Sequence, residues 1–160
     1  MIVANTTPLS NFIHLGLLAE LRQLLGVVRV PPAVVRELEQ GHGPLAEWLP
    51  ETDPPVLEVR RVEPSGLLTE LIASVHQGEA EAIALSLQLR ARLLLMDDQD
   101  GRRAASRHQI PVSGTLAVLV SLKRHGLISG VRPHLESLRD EVGFWFTDAL
   151  RDWALREAGE

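Results

Sequence analysis

Along the chain, short and largely apolar runs alternate with amphipathic stretches. Residues 2–4, 27–30, 93–96 and 110–112 are such runs, each bounded by turn-forming residues, as strands buried on both faces of a sheet are. Helical spacing fills the intervals. After the first run, Thr6 or Thr7 can cap a helix that has Pro8 in its first turn and carries Phe12 and Leu15 to Gly16. Leu18, Leu21 and Leu25 form the next stripe, closed by Gly26, and Pro31-Pro32 opens a helix to about Gln40. Residues 66–75 and 78–90 follow as helices, the second apolar nearly all round and therefore expected to be well buried. Residues 101–108, 114–125 with Gly126 as C-cap, and 131–139 continue the pattern. A last helix runs from a Thr147 cap to near Gly159. Residues 44–66 are the least regular. Within them, 45–49 make one helical turn or two, 51–55 a loop, and 56–62 an alternating strand suited to a sheet edge. Strands alternating with helices predict an α/β fold with a mostly parallel sheet. At 160 residues one domain, 1–160, is expected, with 44–66 an insertion in it.

Charged residues cluster where this pattern predicts strand ends. The run 93–96 breaks into Asp97-Asp98, with Asp100 close behind, and ligands of open α/β sheets bind outside the carboxyl ends of strands. Two carboxylates about 4 Å apart repel by roughly 4 kcal/mol at an effective dielectric near 20. Such a pair raises its own pKa or recruits a divalent cation. Asn5 holds the corresponding place after the first strand. Glu37 borders the buried stripe of Val34 and Leu38, whereas Glu39 should face water. Glu79 and Glu81 open the apolar helix, where its dipole favours acids. Glu79 shares a face with Ile83 at i, i+4 and is preferred to Glu81. Arg102, Arg103 and Arg107 follow the acidic turn and suit phosphate contact.

Composition narrows the chemistry. The formal net charge of −5 argues against a general electrostatic grip on nucleic acid, but leaves room for a basic rim around an acidic metal site. Without Cys there is no disulfide, thiol nucleophile or cysteine metal site, which suits a reducing cytoplasm. The six histidines lack zinc-ligand spacing, the serines lack a nucleophile elbow, and no glycine-rich phosphate loop occurs. The Trp and Phe residues are assigned to core or interface. The N-terminus lacks signal-peptide features, and no apolar run is long enough to span a bilayer, so a cytoplasmic protein is expected.

With these positions in place, the sequence resembles the PIN-domain family, in particular a compact bacterial and archaeal branch. The resemblance is carried by Asn5-Thr6-Thr7-Pro8-Leu9, by Pro-Ala-Val-Val-Arg-Glu ending at Glu37, and by Gly-Glu-Ala-Glu-Ala-Ile-Ala-Leu from Gly78. Residues 94–103, Val-Ser-Gly-Thr-Leu-Ala-Val-Leu from Val112, Gly126-Leu127-Ile128 and the ending at Glu160 extend it over nearly the whole chain. It implies a three-layer fold with helices on both faces of the sheet. It also implies a Mg²⁺- or Mn²⁺-dependent endoribonuclease, a toxin held by a cognate antitoxin, and a homodimer. The acids carried over are Glu37, Glu79 and Asp97, with Asp98 adjoining. Thr6 and Thr115 are polar helpers, and Thr115, Arg102 and Arg103 are expected to contact RNA. The departure is Asn5, which stands where the family has Asp and brings a carbonyl oxygen without a charge. A second reading is therefore a weak or inactive PIN-like module that binds protein or nucleic acid. A receiver-type phosphoacceptor fold is disfavoured, because Asn5-Thr6 follows the first strand where an acidic pair is required.

Overall fold

The computed structural model describes residues 1–160. Its centre is a sheet of five short strands: β1 (Ile2–Ala4), β2 (Val28–Val30), β3 (Leu57–Val59), β4 (Leu93–Leu95) and β5 (Val112–Ser113). They lie in the order β3-β2-β1-β4-β5, and all four pairings are parallel. Alternation sorts the side chains of the apolar runs. Ile2, Ala4 and Leu95 point to one face of the sheet, and Val3, Leu94 and Met96 to the other. Each face is covered. On the larger core pack α1 (Thr6–His14), α2 (Leu18–Leu25), α3 (Pro32–His42), α8 (Thr115–Arg124), α9 (Arg132–Ser137) and α10 (Asp148–Glu157). The smaller core is built with α5 (Gly66–Ser74), α6 (Gln77–Gln88) and α7 (Gln99–Arg107). The expected three layers are present, and the sheet is wholly parallel.

The chain runs outward from β1 to β2 and β3, then returns across β1 to β4 and β5. The strand order thus reverses between β1 and β4, and the crevice at such a reversal is where α/β sheets take ligands. The backbone ladder reaches that point, with the Asn5 N–H donating to Leu95 O (2.9 Å) and the Met96 N–H to Ser113 O (2.9 Å).

Several element boundaries differ from expectation. The cap of α1 is Asn5, not Thr6 or Thr7, and its side chain makes no capping hydrogen bond. Residues 45–49 give one turn, α4 (Leu45–Trp48). The strand expected over 56–62 is only Leu57–Val59, at the sheet edge as anticipated. Gly126 lies one residue beyond the α8 C-cap, His125, at φ +70°, a conformation open to glycine at no steric cost. Helix α9 continues into a π-helical turn, Leu138–Val142, which periodicity did not foretell. No helix is long and apolar enough to cross a membrane.

Candidate active site

Asn5 sits at the mouth of the crevice, 3% exposed, with its amide oxygen buried and lacking any hydrogen-bond partner. An orphaned buried carbonyl of this kind costs about 1–3 kcal/mol unless something supplies a positive or donor group. The next residue, Thr6, donates its hydroxyl to Glu37 Oε2 in a short hydrogen bond and so ties α1 to α3. The Glu37 carboxyl lies over Gly78 in the first turn of α6. A Cβ at that glycine would meet Oε1 at 2.6 Å and Oε2 at 2.8 Å. Glycine is needed here for close approach, and it lets an acid from one helix rest on the start of another.

Glu79 follows, 6% exposed. Burial pushes its carboxyl above the usual range, and the charges of Asp98 and Glu37 push the same way. His76 and its backbone N–H pull it back. Glu81 is occupied differently. Its Oε2 accepts from the Ala33 N–H (3.1 Å) at the start of α3, and its Oε1 from Gln77 (3.0 Å). Glu81 thus satisfies one of the unpaired donors of α3, leaving Glu79 as the inward acid of the two.

Asp97 and Asp98 part company at the end of β4. Asp97 Oδ1 accepts from the Thr115 N–H (2.7 Å) and Oδ2 from the Thr115 hydroxyl (2.6 Å). Burial raises the Asp97 pKa, opposed by those two bonds and by the nearby Arg102 charge. Gly114 permits the approach, since a Cβ there would fall 2.7 Å from Asp97 Oδ1. Asp98 instead caps α7, with its Oδ1 accepting from the N–H groups of Asp100 (2.9 Å) and Gly101 (3.1 Å). The two carboxyls are thus held by different partners, and the charge of Asp98 bears on Glu79, whose pKa it raises.

Thr115 is fully buried and uses its hydroxyl on Asp97 and on Asn11 Nδ2 (3.1 Å). The expected substrate contact is therefore corrected to a positioning role for Asp97. Asn11 was missed, although a polar residue among Pro8, Leu9 and Phe12 on the buried face of α1 was the available signal. Arg102 donates to Met96 O (2.8 Å) beside Asp97. Arg103 is exposed and turned to Asp100 (3.2 Å) and Gln99, so it belongs to the solvated face of α7.

The acids line the carboxyl ends of β1 and β4 without gathering at one point. No three acidic or histidine side chains stand close enough to hold one ion. Every donor present is nonetheless a hard oxygen, from carboxylate, hydroxyl or amide, and that set suits Mg²⁺ or Mn²⁺ and not zinc. The unpartnered Asn5 oxygen fits the same class of cation.

A parallel sheet whose strand reversal is lined by acids defines an α/β protein with an acidic crevice. The family model DUF3368, described as a PIN domain, matches residues 1–160, and the chain belongs to the PIN-domain family. No curated protein matches it. The family's fold is of the nuclease type; its nucleases typically use divalent metal ions and act on RNA.

Proposed function

We propose that this chain is a divalent-metal-dependent endoribonuclease, working in the cytoplasm as one domain and as the toxin of a toxin–antitoxin pair, assembled as a homodimer. The observation that carries the reading is the Glu37 carboxylate held by Thr6 above Gly78, beside the buried Glu79 and at the strand reversal closed by Asp97. Asn5, Glu37, Glu79 and Asp97, with Asp98 through its uncapped oxygen, are the residues that would hold Mg²⁺ or Mn²⁺, once an ion draws their carboxylates in from the spread positions they take without it. A bound ion supplies Lewis-acid polarisation of the scissile phosphate. The residues of the chain do the rest. Thr6 fixes the direction of Glu37, and the Thr115 hydroxyl, steadied by Asn11, fixes Asp97. Arg102, anchored on Met96 O, keeps a cationic group beside Asp97 for the RNA phosphate.

The test is cleavage of a mixed RNA pool by the purified chain with Mn²⁺ or Mg²⁺. Chelator, Glu37→Gln and Asp97→Asn should each abolish it while the fold persists. A folded protein that leaves RNA intact with either metal would favour the second reading, a PIN-like binding module. Asn5 in place of an acid, together with the spread of the carboxylates, is the observation on that side.

A further inference from the structure

The segment after the π-helical turn sets three aromatic residues in a row. Phe144 and Phe146 tilt against each other with ring centroids 6.0 Å apart, and both rest on the larger core together with Trp153. Trp145 does not. It is 75% exposed, above every other exposed large apolar side chain. With these rings it lines a groove of about 620 Å³ whose polar side is formed by Asp97, Gln99 and Arg102. Phe146 also borders a second groove, of about 540 Å³, lined by four arginines against three carboxylates. Two of the arginines are neutralised locally, Arg139 by Asp140 and Arg151 by Asp148 and Asp152. Arg132 stands near Glu160, whose carboxyl its charge helps to hold below the usual range, and Arg156 lines the groove without an ion pair.

We infer that the aromatic groove seats an unpaired base of a single-stranded RNA, and that the adjoining arginine groove carries the phosphates of the same strand. The inference rests on the nuclease reading and assigns to Trp145 and the neighbouring arginine groove the hold on the strand outside the acid site. Three features point to this occupant. A flat, exposed indole offers a stacking face to any base, whatever its identity. The groove shares Asp97 and Arg102 with the acid site, so a base seated on Trp145 puts a neighbouring phosphate at the carboxylates. The Arg156 guanidinium, free of any ion pair, is complementary to phosphate, in a chain whose net charge is −5. A duplex fits poorly, because its bases are already stacked on one another.

Fluorescence anisotropy in chelator separates binding from cleavage. The probes are a labelled short oligouridine and a short RNA duplex, titrated with the full chain, and the same samples are sedimented for mass. The parent should bind the single strand in preference to the duplex. Trp145→Ala should weaken that binding about tenfold to a hundredfold, and Trp145→Phe should retain most of it. Arg156→Gln should lower the slope of log affinity on log salt by about one. Trp145 lies outside the core, so the melting curve of Trp145→Ala should match the parent's. An affinity indifferent to Trp145, or equal binding of duplex, overturns the inference. So does a dimer that Trp145→Ala dissolves while leaving RNA affinity intact, since the groove is then a protein contact. Cleavage with Mn²⁺ is scored separately. A chain that cleaves RNA but ignores Trp145 sinks this inference alone, whereas one that binds through Trp145 and never cleaves sinks the nuclease reading alone.

Discussion

Gly78→Ala separates the placement of Glu37 from the stability of the fold. The nearest atoms to the added Cβ would be those of the Glu37 carboxyl, at 2.6–2.9 Å, so the far end of a flexible side chain must yield. Displacing it breaks the Thr6–Glu37 hydrogen bond, a charge-assisted bond worth about 1.5–3 kcal/mol. Partial exposure of both residues puts the loss at the low end. Alanine in place of glycine returns up to about 1 kcal/mol of helix propensity. The net cost is about 1 kcal/mol, and for a chain of this length that lowers the melting temperature by about 2–4 °C. Activity should suffer far more, because a misplacement of about 1 Å at a reacting centre costs on the order of a hundredfold. The assay pairs thermal melts with initial rates of cleavage of a labelled RNA in Mn²⁺. If Gly78→Ala cleaves at the parental rate while Glu37→Gln is inactive, Glu37 does not work from the position described here. A collapse of melting temperature would show instead that Glu37 cannot yield, and that the stability estimate is wrong.

Three further outcomes follow from the site. Asn5→Asp adds a negative charge at the crevice and should tighten Mn²⁺ binding; calorimetric titrations that give equal affinities would place Asn5 outside the metal site. The folded-state pKa of Glu79 is raised, so the folded chain binds its proton more tightly than the unfolded chain does. Its contribution to stability therefore grows as pH falls through the raised value and is lost as pH rises through it. In chelator, Glu79→Gln should be more stable than the parent at neutral pH and show a flatter rise on acidification, as measured by denaturant melts across the mildly acidic range. Glu81→Ala removes a partner of the Ala33 N–H and should cost about 1 kcal/mol, as cap deletions do. Its rate of RNA cleavage in Mn²⁺ should stay parental, and a Glu81→Ala chain that is stable but inactive would reverse the assignment of the two acids.

What the sequence made legible is whatever depends on local periodicity. The apolar runs around Val3 and Leu94 mark central strands because both faces of the sheet are covered there. Glu79 was separable from Glu81 because an i, i+4 relation to Ile83 is a local fact. What stayed hidden depends on residues distant in the chain or on which of two adjacent side chains turns. Asp97 and Asp98 look alike in sequence, yet Asp98 is drawn to the free N–H groups of α7 while Asp97 is captured by Thr115. The tie between Asn11 and Thr115 crosses 104 residues and has no signature in either neighbourhood. Of the aromatic residues at 144–146, expected in core or interface, Phe144 and Phe146 pack on the core and Trp145 does not.

The hydrogen bond from Asn11 to Thr115 has a consequence for synthesis. Asp97 leaves the ribosome well before Thr115, and until α8 has emerged and docked, its carboxylate lacks both donors that fix it. Glu37 likewise waits for α6, the floor on which it rests. Parallel sheets close long loops before their contacts are rewarded, so pairings of this span form late in folding. A half-made chain therefore carries the acids without their arrangement. Whatever chemistry the crevice performs is withheld until Thr115 and α8 are clear of the ribosome.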